Sequence, residues 1–410
     1  MKKPELLAPA GTFEKAKIAF LYGADAVYAG TTKLSLRTRT SMQFDDLVNT
    51  VKLAHSLNKK VYVAMNIYAR DSEYELIKQE AKYLDEIGVD GIIISDGGIV
   101  DVVKEYAPNT EIHISTQANV TSLHACNFWY KNGASRIILA RELSKDEIKY
   151  ITDNKPNGLD IEMFVHGAIC YSYSGRCYMS DYMAGRSANH GDCAQPCRWA
   201  YNIYAEEVNN PGQLMPIEYD EKGTYIFSSK DMCLVKEIPE LFNINVDSLK
   251  IEGRLKTEFY LANVVHAYRH ALDDYEKDPD GWNFEKYFAE LDKARTRGTT
   301  TFYFNDKENK DTQDYEGKQY NPNYEFAGMV VSTDISGMST IEIRNKLSVG
   351  DELEVILPDK LEPTVIKIEK LYDVETGEEI DTVNPGVKEQ KVKFKIPVEV
   401  KTGYVIRRRK

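Results

Sequence analysis

Short apolar runs alternate with amphipathic helical stretches over the first 254 residues, and this alternation limits the fold more than any other feature. Eight runs are typical of strands, at residues 5–10, 24–30, 60–66, 91–96, 111–117, 136–142, 160–167 and 248–254. Regular β–α alternation implies a parallel sheet covered by helices. Eight repeats favour a closed barrel, and no GxGxxG follows the first strand, which disfavours a dinucleotide-binding sheet. The sequence therefore predicts an α/β fold with a TIM-like (β/α)8 barrel over residues 1–275.

The remainder of the chain has a different pattern. Residues 276–324 begin as a helix and become polar and rich in turn residues, which predicts a helical and linker segment. Residues 325–410 consist of short alternating runs separated by turn residues, which predicts a small antiparallel β-barrel domain. Such a domain either presents a surface to RNA, peptide or a partner, or is purely structural. Its basic end, Arg407 to Lys410, is either an RNA-binding patch or a solvated tail.

Composition restricts the location and the partners of the chain. A hydrophobic share of 42% with a charged share of 28% is typical of a soluble globular protein. The N-terminus lacks the apolar core of a signal peptide, and no run of about 18 apolar residues predicts a membrane span. We therefore expect a cytoplasmic protein with no membrane partner. The net charge of −12 works against indiscriminate nucleic-acid binding but leaves room for a local basic surface.

Cysteines are concentrated after the seventh predicted strand. Cys170, Cys177, Cys193 and Cys197 lie within one short stretch, and Cys233 follows. Reducing conditions argue against structural disulfides, and the absence of a CxxC pair disfavours zinc. Widely spaced thiolates at a barrel mouth suit a [4Fe–4S] cluster, which uses four of them and leaves one spare. Zinc and plain buried thiols remain open alternatives.

Polar residues stand at the carboxyl ends of the predicted strands, where barrel enzymes have their active sites. They are Asn66, Asp96, Ser115, Thr116, Gln117, Arg141, Glu142, His166, Glu252 and Arg254. Together they predict a mouth of mixed charge that suits a small anionic or polar ligand. Each residue taken singly is more often a cap or a loop hydrogen bond than a catalytic group.

Arginines are interspersed among the cysteines. Arg176 and Arg198 are candidates to stabilise a reduced anionic cluster or to bind a carboxylate in a bidentate manner. The alternative is local salt bridging to Asp181 and Asp192. The sequence does not decide between these two roles.

The residues around the first two cysteines match a known family. The pattern ExFxxGAxCxxxxGxCxxS is satisfied by Glu162, Phe164, Gly167, Ala168, Cys170, Gly175, Cys177 and Ser180. The segments PELLAPAG, GDCAQPCRW and SLKIEGR resemble other landmarks of the same family. On these motifs the chain resembles the peptidase U32 family, historically labelled collagenase-like proteases, over essentially its whole length.

That resemblance implies an activity and a set of site residues. The length and two-domain layout are most similar to those family members that form 5-hydroxyuridine at the wobble position of tRNA, with prephenate and an iron–sulfur cluster. The implied cluster ligands are Cys170, Cys177, Cys193 and Cys233, with Cys197 as the alternate. The candidate catalytic residues are Glu162, His166, Arg141 and Arg254. The expected partners are tRNA and, as a further possibility, a homologous U32 subunit.

Two rival functions remain. A U32-type peptidase has the older family label in its favour, but the chain has no HExxH helix for zinc and no GxSxG elbow. A Cys–His protease needs one activated thiolate, for which five clustered cysteines are poorly suited. The other rival is a non-catalytic, cluster-bearing subunit of a hydroxylase complex.

Overall fold

A computed structural model describes most of the chain. The described residues are 2–31, 34–35, 42–170, 172–199, 201, 204–206, 208, 211–212, 214–216, 229–294, 298–305, 312, 323–386 and 390–410. The helices are α1 Phe13–Leu21, α2 Phe44–Ser56, α3 Tyr74–Glu86, α4 Gly97–Tyr106, α5 Leu123–Lys131, α6 Lys145–Asn154, α7 Met179–Ala184, α8 Ile238–Ile244, α9 Glu258–Lys277 and α10 Glu285–Asp292.

The strands of the N-terminal part are β1 Glu5–Pro9, β2 Ala26–Gly30, β3 Lys60–Met65, β4 Gly91–Ile94, β5 Glu111–Ile114, β6 Arg136–Ile138, β7 Asp160–Ala168, β8 Tyr204–Glu206, β9 Leu214–Pro216, β10 Asp231–Cys233, β11 Ser248–Ile251 and β12 Thr299–Thr300. Strands β1 to β7 pair in chain order and in parallel, and β11 pairs in parallel with both β1 and β7. The closed eight-stranded barrel predicted from the alternation is therefore confirmed.

The barrel strands are almost continuously apolar because both faces are buried, one by the barrel interior and the other by helices. Strand β2, for example, is buried along its whole length. Helix α6 shows how a covering helix is fixed: Ser144 accepts a hydrogen bond from the Glu147 amide, and Glu147 accepts one from the Ser144 amide. This reciprocal cap starts the helix and leaves Ile148 and Ile151 facing the barrel.

Between β7 and β11 the chain leaves the simple alternation. The insertion contains the cysteine segment, α7 and the β8–β9 pair, and it returns through β10, which runs antiparallel to β7. Strand β12 then pairs with β10 and extends the sheet outside the barrel. Gly167 has a φ of +107°, and a Cβ there would lie 2.3 Å from the Glu252 carbonyl oxygen. Only glycine therefore allows β7 to approach the chain beyond β11 so closely.

The C-terminal strands are β13 Tyr324–Thr333, β14 Met338–Ile343, β15 Leu347–Ser348, β16 Glu352–Val355, β17 Thr364–Lys367, β18 Leu371–Asp373, β19 Glu379–Ile380, β20 Thr382–Val383, β21 Lys391–Lys395 and β22 Val405–Arg409. Eight of them form a curled antiparallel sheet in the order β17–β16–β22–β13–β14–β21–β18–β19, and β15 pairs with β20. The sheet encloses its own apolar core, which includes Leu353 and Phe394. The antiparallel β domain predicted for this region is confirmed.

The predicted boundaries at residues 275 and 325 fall close to element ends, since α9 ends at Lys277 and β13 begins at Tyr324. The two parts are packed against each other. The hydroxyl of Tyr22, the residue that follows α1, donates to the Ile356 carbonyl oxygen at 2.9 Å and accepts from the Val405 amide at 2.9 Å.

Two of the four residues at the basic end of the chain, Arg407 and Arg408, do not form the solvated tail or RNA-binding patch that the sequence suggested, whereas Arg409 and Lys410 are exposed. Arg407 is 0% exposed and is bound by Glu290, Glu354 and Asn263. Arg408 is ion-paired with Glu325 and Asp351. These guanidinium groups are neutralised within the protein, so the interpretation of Arg407 and Arg408 as free basic charges is wrong.

Among the residues that the structure describes, no helix is long and apolar enough to cross a membrane.

Candidate active site at the barrel mouth

A cavity of about 160 Å³ opens at the carboxyl ends of the barrel strands. Seven of the ten polar residues expected at these ends line it: Asn66, Ser115, Thr116, Gln117, Arg141, Glu252 and Arg254. The other three have different surroundings. Asp96 caps α4 by accepting from the Gly98 amide at 2.8 Å, Glu142 binds a serine described below, and His166 faces away from the cavity.

The cavity also contains residues that sequence reasoning missed. Lys250 lies in it with its Nζ 4.5 Å from the ring centroid of Tyr28 and 5.5 Å from that of Phe164. Lys250, Glu252 and Arg254 occupy alternate positions in SLKIEGR, and alternate residues of an extended chain share one face. This two-residue periodicity could have placed Lys250 at the mouth from the sequence alone. The cavity thus has aromatic walls, three cationic side chains and one carboxylate.

The cysteine segment forms one wall of this cavity. The side chains of Cys170, Cys177, Cys193 and Cys197 all line it, because hydrogen bonds hold their loops over the mouth. Glu142, for example, accepts hydrogen bonds from the Ser174 amide and hydroxyl, both at 2.6 Å.

Hydrogen bonds of Asn189 and Ser180 hold the same wall. Asn189 accepts from the Cys177 amide at 3.3 Å and donates to the Cys177 carbonyl oxygen at 3.0 Å. The Ser180 hydroxyl accepts from the Ala194 amide at 2.9 Å, next to Cys193. Hydrogen bonds rather than a large apolar core therefore position these loops.

The thiols are electrostatically coupled. Burial raises the pKa of Cys170, and Cys177 and Cys193 raise it further, while Arg141 opposes the shift. Burial also raises the pKa of Cys197, which interacts with the other three. A positively charged centre would stabilise the thiolate forms that burial and mutual repulsion disfavour.

The four thiols of the cysteine wall suit a cluster better than a single ion. Among the described residues, no three Cys, His, Asp or Glu side chains converge closely enough to hold a single metal ion. A [4Fe–4S] cluster takes one thiolate per iron, so its four ligands surround a larger object than one ion. Four thiols around one cavity fit such a cluster, and the Gln195 amide already donates to the Cys193 sulfur at 3.4 Å.

Cys233 and His166 are placed elsewhere. They lie opposite each other on β10 and β7 and line a separate cavity of about 10 Å³, with room for about one water. The His166 ring packs between Tyr260 and Tyr268 of α9, at centroid distances of 6.0 and 5.5 Å. Burial lowers the pKa of His166 to about 3, so its ring is neutral at neutral pH.

A register shift in β7 explains why His166 lies outside the mouth. Lys250 pairs with Phe164 but Ile251 pairs with His166, so β7 has one extra residue between these pairs. An extra residue reverses which side of the sheet the following side chains face. Phe164 therefore lines the mouth, whereas His166 points outward to α9. The expectation that His166 belongs to the mouth is corrected accordingly.

Glu162 is a buried member of an ion network. It is 0% exposed and accepts from Lys250 at 2.7 Å and from Arg136 at 3.2 Å. Burial alone would raise the pKa of Glu162, but Lys250 and Arg136 outweigh it and hold the pKa below its usual range. It does not line the mouth cavity. Its contacts indicate that it positions Lys250 rather than touching a ligand.

The remaining arginines lie around the cysteine wall. Arg141 stacks on Phe164 with its guanidinium carbon 4.0 Å from the ring centroid. Arg176 is exposed at the rim, where its Nε donates to the Tyr68 hydroxyl at 2.6 Å. Arg198 donates to the Ile169 carbonyl oxygen at 3.1 Å and so supports the end of β7.

Comparison with known proteins gives a consistent result. Residues 11–314 match the family described as Peptidase family U32, and residues 322–407 match the Peptidase family U32 C-terminal domain. The chain is 37% identical over 412 residues to tRNA hydroxylation protein P1 of Bacillus subtilis (strain 168), covering 100% of this chain and 96% of that protein. It is 36% identical over 398 residues to tRNA hydroxylation protein P of Escherichia coli (strain K12), covering 87% of each.

A third relative acts on another RNA, according to its name. The 23S rRNA 5-hydroxycytidine C2501 synthase of Escherichia coli (strain K12) is 34% identical over 308 residues, covering 73% of this chain and 45% of that protein. The two family matches span almost the whole sequence and confirm the resemblance drawn from the motif around Cys170 and Cys177. The chain belongs to peptidase family U32.

Proposed function

We propose that this chain is an RNA-modifying hydroxylase that forms 5-hydroxyuridine at the wobble position of tRNA, with a [4Fe–4S] cluster and prephenate. The observation that carries the proposal is a single cavity lined by both the four thiols and three cationic side chains, Arg141, Lys250 and Arg254. The names of relatives at 36–37% identity support tRNA hydroxylation, and that of the ribosomal RNA synthase supports hydroxylation of a pyrimidine.

The cysteine wall is the part of the cavity that would hold the cluster. Cys170, Cys177, Cys193 and Cys197 are the ligands that the geometry favours. When bound, the cluster supplies one-electron transfer. The Gln195 amide would hold the Cys193 sulfur in place through its N–H···S hydrogen bond, and hydrogen bonds to sulfur tune cluster potentials.

The cationic side of the cavity suits a small organic anion. Arg141 is held by stacking on Phe164 and makes no hydrogen bond to any other residue that the structure describes, so its fork of donors can bind a carboxylate. Arg254 is fixed by donating to the Ser35 hydroxyl at 2.9 Å. Prephenate offers carboxylates to these cations and an unsaturated ring to the aromatic walls formed by Tyr28 and Phe164.

The uracil must reach this cavity from outside the barrel. A wobble base lies in a loop, so turning it out of its stack costs less than extracting a base from a duplex. Asn66 and Gln117 line the cavity, and the Asn66 Nδ2 donates to the Gln117 Oε1 at 3.3 Å. A uracil edge that enters the cavity can hydrogen-bond to this amide pair. These residues would orient the base next to the cysteine wall.

Deletion of the gene tests the activity. Nucleosides from total tRNA of the deletion strain, analysed by mass spectrometry, should lack 5-hydroxyuridine, and the wild-type gene should restore it. The purified protein, prepared without oxygen, should contain iron and acid-labile sulfide and absorb visible light. A colourless, iron-free preparation that cleaves protein would instead establish the peptidase alternative.

Arg141→Gln should weaken prephenate binding roughly tenfold or more, because a charge-assisted hydrogen bond contributes about 1.5–3 kcal/mol. Titration calorimetry of the anaerobic protein with prephenate measures the effect. Arg344→Gln is the matched control, since Arg344 is paired with Glu342 at 2.8 Å in the C-terminal sheet. Equal affinity of the Arg141 variant and wild type would remove Arg141 from the anion site.

A further inference from the structure

Exposed aromatic side chains are concentrated around the barrel mouth. The structure describes nine exposed aromatic residues, and five of them lie in the segment from 173 to 204 that also carries the cysteines. They are Tyr173, Tyr178, Tyr182, Trp199 and Tyr204. Scattered exposed aromatics need no explanation, but a concentration of them beside a cavity marks an interaction surface.

Two of these side chains stand directly at the rim of the cavity. Tyr173 lies between Ser172 and Ser174, which both line the cavity, and Tyr178 lies between Cys177 and Met179, which do the same. Tyr178 is nevertheless 76% exposed. Adjacent residues therefore point in opposite directions: thiols, hydroxyls and Met179 inward, aromatic rings outward.

Trp199 forms another part of the rim. It is 41% exposed, and its indole Nε1 donates to the Ala194 carbonyl oxygen at 3.2 Å, which fixes the ring beside the loop of Cys193 and Cys197. One turn of α7 beyond Met179, Tyr182 is 85% exposed. A held ring with an open face, such as that of Trp199, loses little conformational entropy when a planar group stacks on it, and tyrosine side chains have only two rotatable χ angles to fix.

The charge around these rings favours an anionic partner. The segment from 170 to 201 contains three arginines against two aspartates, in a chain whose net charge is −12. Arg176 is anchored through its Nε to the Tyr68 hydroxyl and the Gln117 carbonyl oxygen, at 2.6 and 3.0 Å. Its terminal nitrogens make no hydrogen bond to any residue that the structure describes, so they can bind phosphate.

We infer that Tyr173, Tyr178, Tyr182 and Trp199 form a stacking surface for unpaired RNA bases next to the base in the cavity. Single-stranded RNA is bound by aromatic rings that stack with bases and by cations that contact phosphates. A protein partner would also cover aromatic rings and would pair a carboxylate with Arg176, but RNA is the partner that the proposed function requires at this mouth. The inference rests on the proposed function, because it places the flanking loop nucleotides of the RNA substrate on the rim.

The test is a pairwise comparison of protein and RNA variants. Tyr178→Ala, Tyr182→Ala and Trp199→Ala proteins are titrated with an RNA hairpin whose loop contains the target uridine, and with the same hairpin lacking the flanking loop bases. Each alanine variant should bind the intact hairpin roughly tenfold more weakly, the size of one lost base-stacking contact. With the base-deleted hairpin the same variants and wild type should differ little, because the stacking partner is already gone.

Matched controls separate stacking from other effects. Tyr178→Phe and Tyr182→Phe keep the ring and should bind like wild type. Tyr150→Ala removes another exposed tyrosine (62%), which lies on α6, and should also bind like wild type. Unchanged iron content and thermal unfolding would show that the alanine variants are intact. The salt dependence of binding should stay the same, since it reports phosphate contacts.

Several results would overturn the inference. Normal RNA binding by the alanine variants, while wild type still restores 5-hydroxyuridine in cells, removes the stacking surface and leaves the proposed function standing. Alanine variants that bind RNA normally but lose association with a second protein chain in sedimentation assign the rim to a protein interface. Failure of wild type to bind the hairpin and to restore the modification overturns both proposals.

Discussion

A Cys197→Ser protein is expected to lose its iron, its visible absorbance and its hydroxylation of tRNA, whereas Cys233→Ser is expected to retain all three. Cys197 lines the mouth cavity together with Cys170, Cys177 and Cys193. Cys233 of β10 lies opposite His166 of β7 in the strand register, and both line a different cavity. A serine hydroxyl is a hard ligand that replaces a soft thiolate poorly at iron–sulfur centres.

The comparison is decisive because the family resemblance implies the opposite choice, with Cys233 as the fourth ligand and Cys197 as the spare thiol. Both serine proteins are purified without oxygen, and iron and acid-labile sulfide are measured per chain. Tyr268 provides a check on the local fold, since its hydroxyl donates to the Val165 carbonyl oxygen at 2.8 Å beside Cys233. Cys233→Ser leaves this hydrogen bond in place and exchanges one sulfur for an oxygen, so we expect it to unfold at nearly the wild-type temperature.

Loss of iron from Cys233→Ser with retention in Cys197→Ser would contradict this ligand set. It would mean that β10 turns its side chains toward the mouth when the cluster binds. Loss from both would mean that five thiols are needed. Cys193→Ser serves as the positive control, because Cys193 is a ligand under both schemes and should lose the cluster in every case.

The barrel was predictable because its signal is repeated. Eight apolar runs in β–α alternation leave few alternatives to a closed parallel sheet, and the polar residues that follow those runs must then meet at one face. Seven of the ten did so. The exceptions have local causes that periodicity does not contain. Asp96 is used as a helix cap, and a single extra residue in β7 turns His166 away from the mouth.

Contacts between distant residues explain the other failures. Glu162 meets Lys250, 88 positions later, inside the barrel, and nothing near Glu162 in the sequence indicates a partner there. The basic end of the chain raised the same difficulty, because Arg407 meets Glu290, 117 positions earlier. When the partner of a charged residue is far away in the sequence, sequence patterns predict a surface residue, and only the fold shows the buried ion pair.

Arg407→Met is expected to destabilise the protein by about 3–5 kcal/mol, the usual cost of removing one member of a buried ion pair. The Arg407 side chain is 0% exposed and donates to Glu354 at 2.7 Å, to Asn263 at 2.6 Å and to Glu290 at 2.7 Å. These partners come from two helices of the barrel part and one strand of the C-terminal sheet. Arg407 therefore joins the two parts, and its loss leaves the carboxylates of Glu290 and Glu354 with Lys293 as the cation that still contacts them, at 2.6 and 3.5 Å.

Arg409→Met is the matched control, since Arg409 is exposed two residues further along β22; it should change stability by less than about 0.5 kcal/mol. Calorimetric unfolding of both variants measures the difference. Adding Glu354→Gln to Arg407→Met should recover part of the loss, because Lys293 then remains paired with Glu290 and no carboxylate is left in excess. Equal unfolding temperatures for the Arg407 and Arg409 variants would contradict a joining role.

The stability difference between wild type and Arg407→Met should depend on pH. Burial alone would raise the pKa of Glu354, but Arg407 and Lys293 outweigh it and hold the pKa below its usual range. A carboxyl with a lowered pKa contributes stability above its unfolded-state pKa and loses that contribution as the pH falls through the lowered value. Arg407→Met removes the main charge that lowers this pKa. The difference in unfolding free energy between wild type and Arg407→Met should therefore be largest near neutral pH and should become smaller on acidification. A purely steric cost of the methionine would not change with pH.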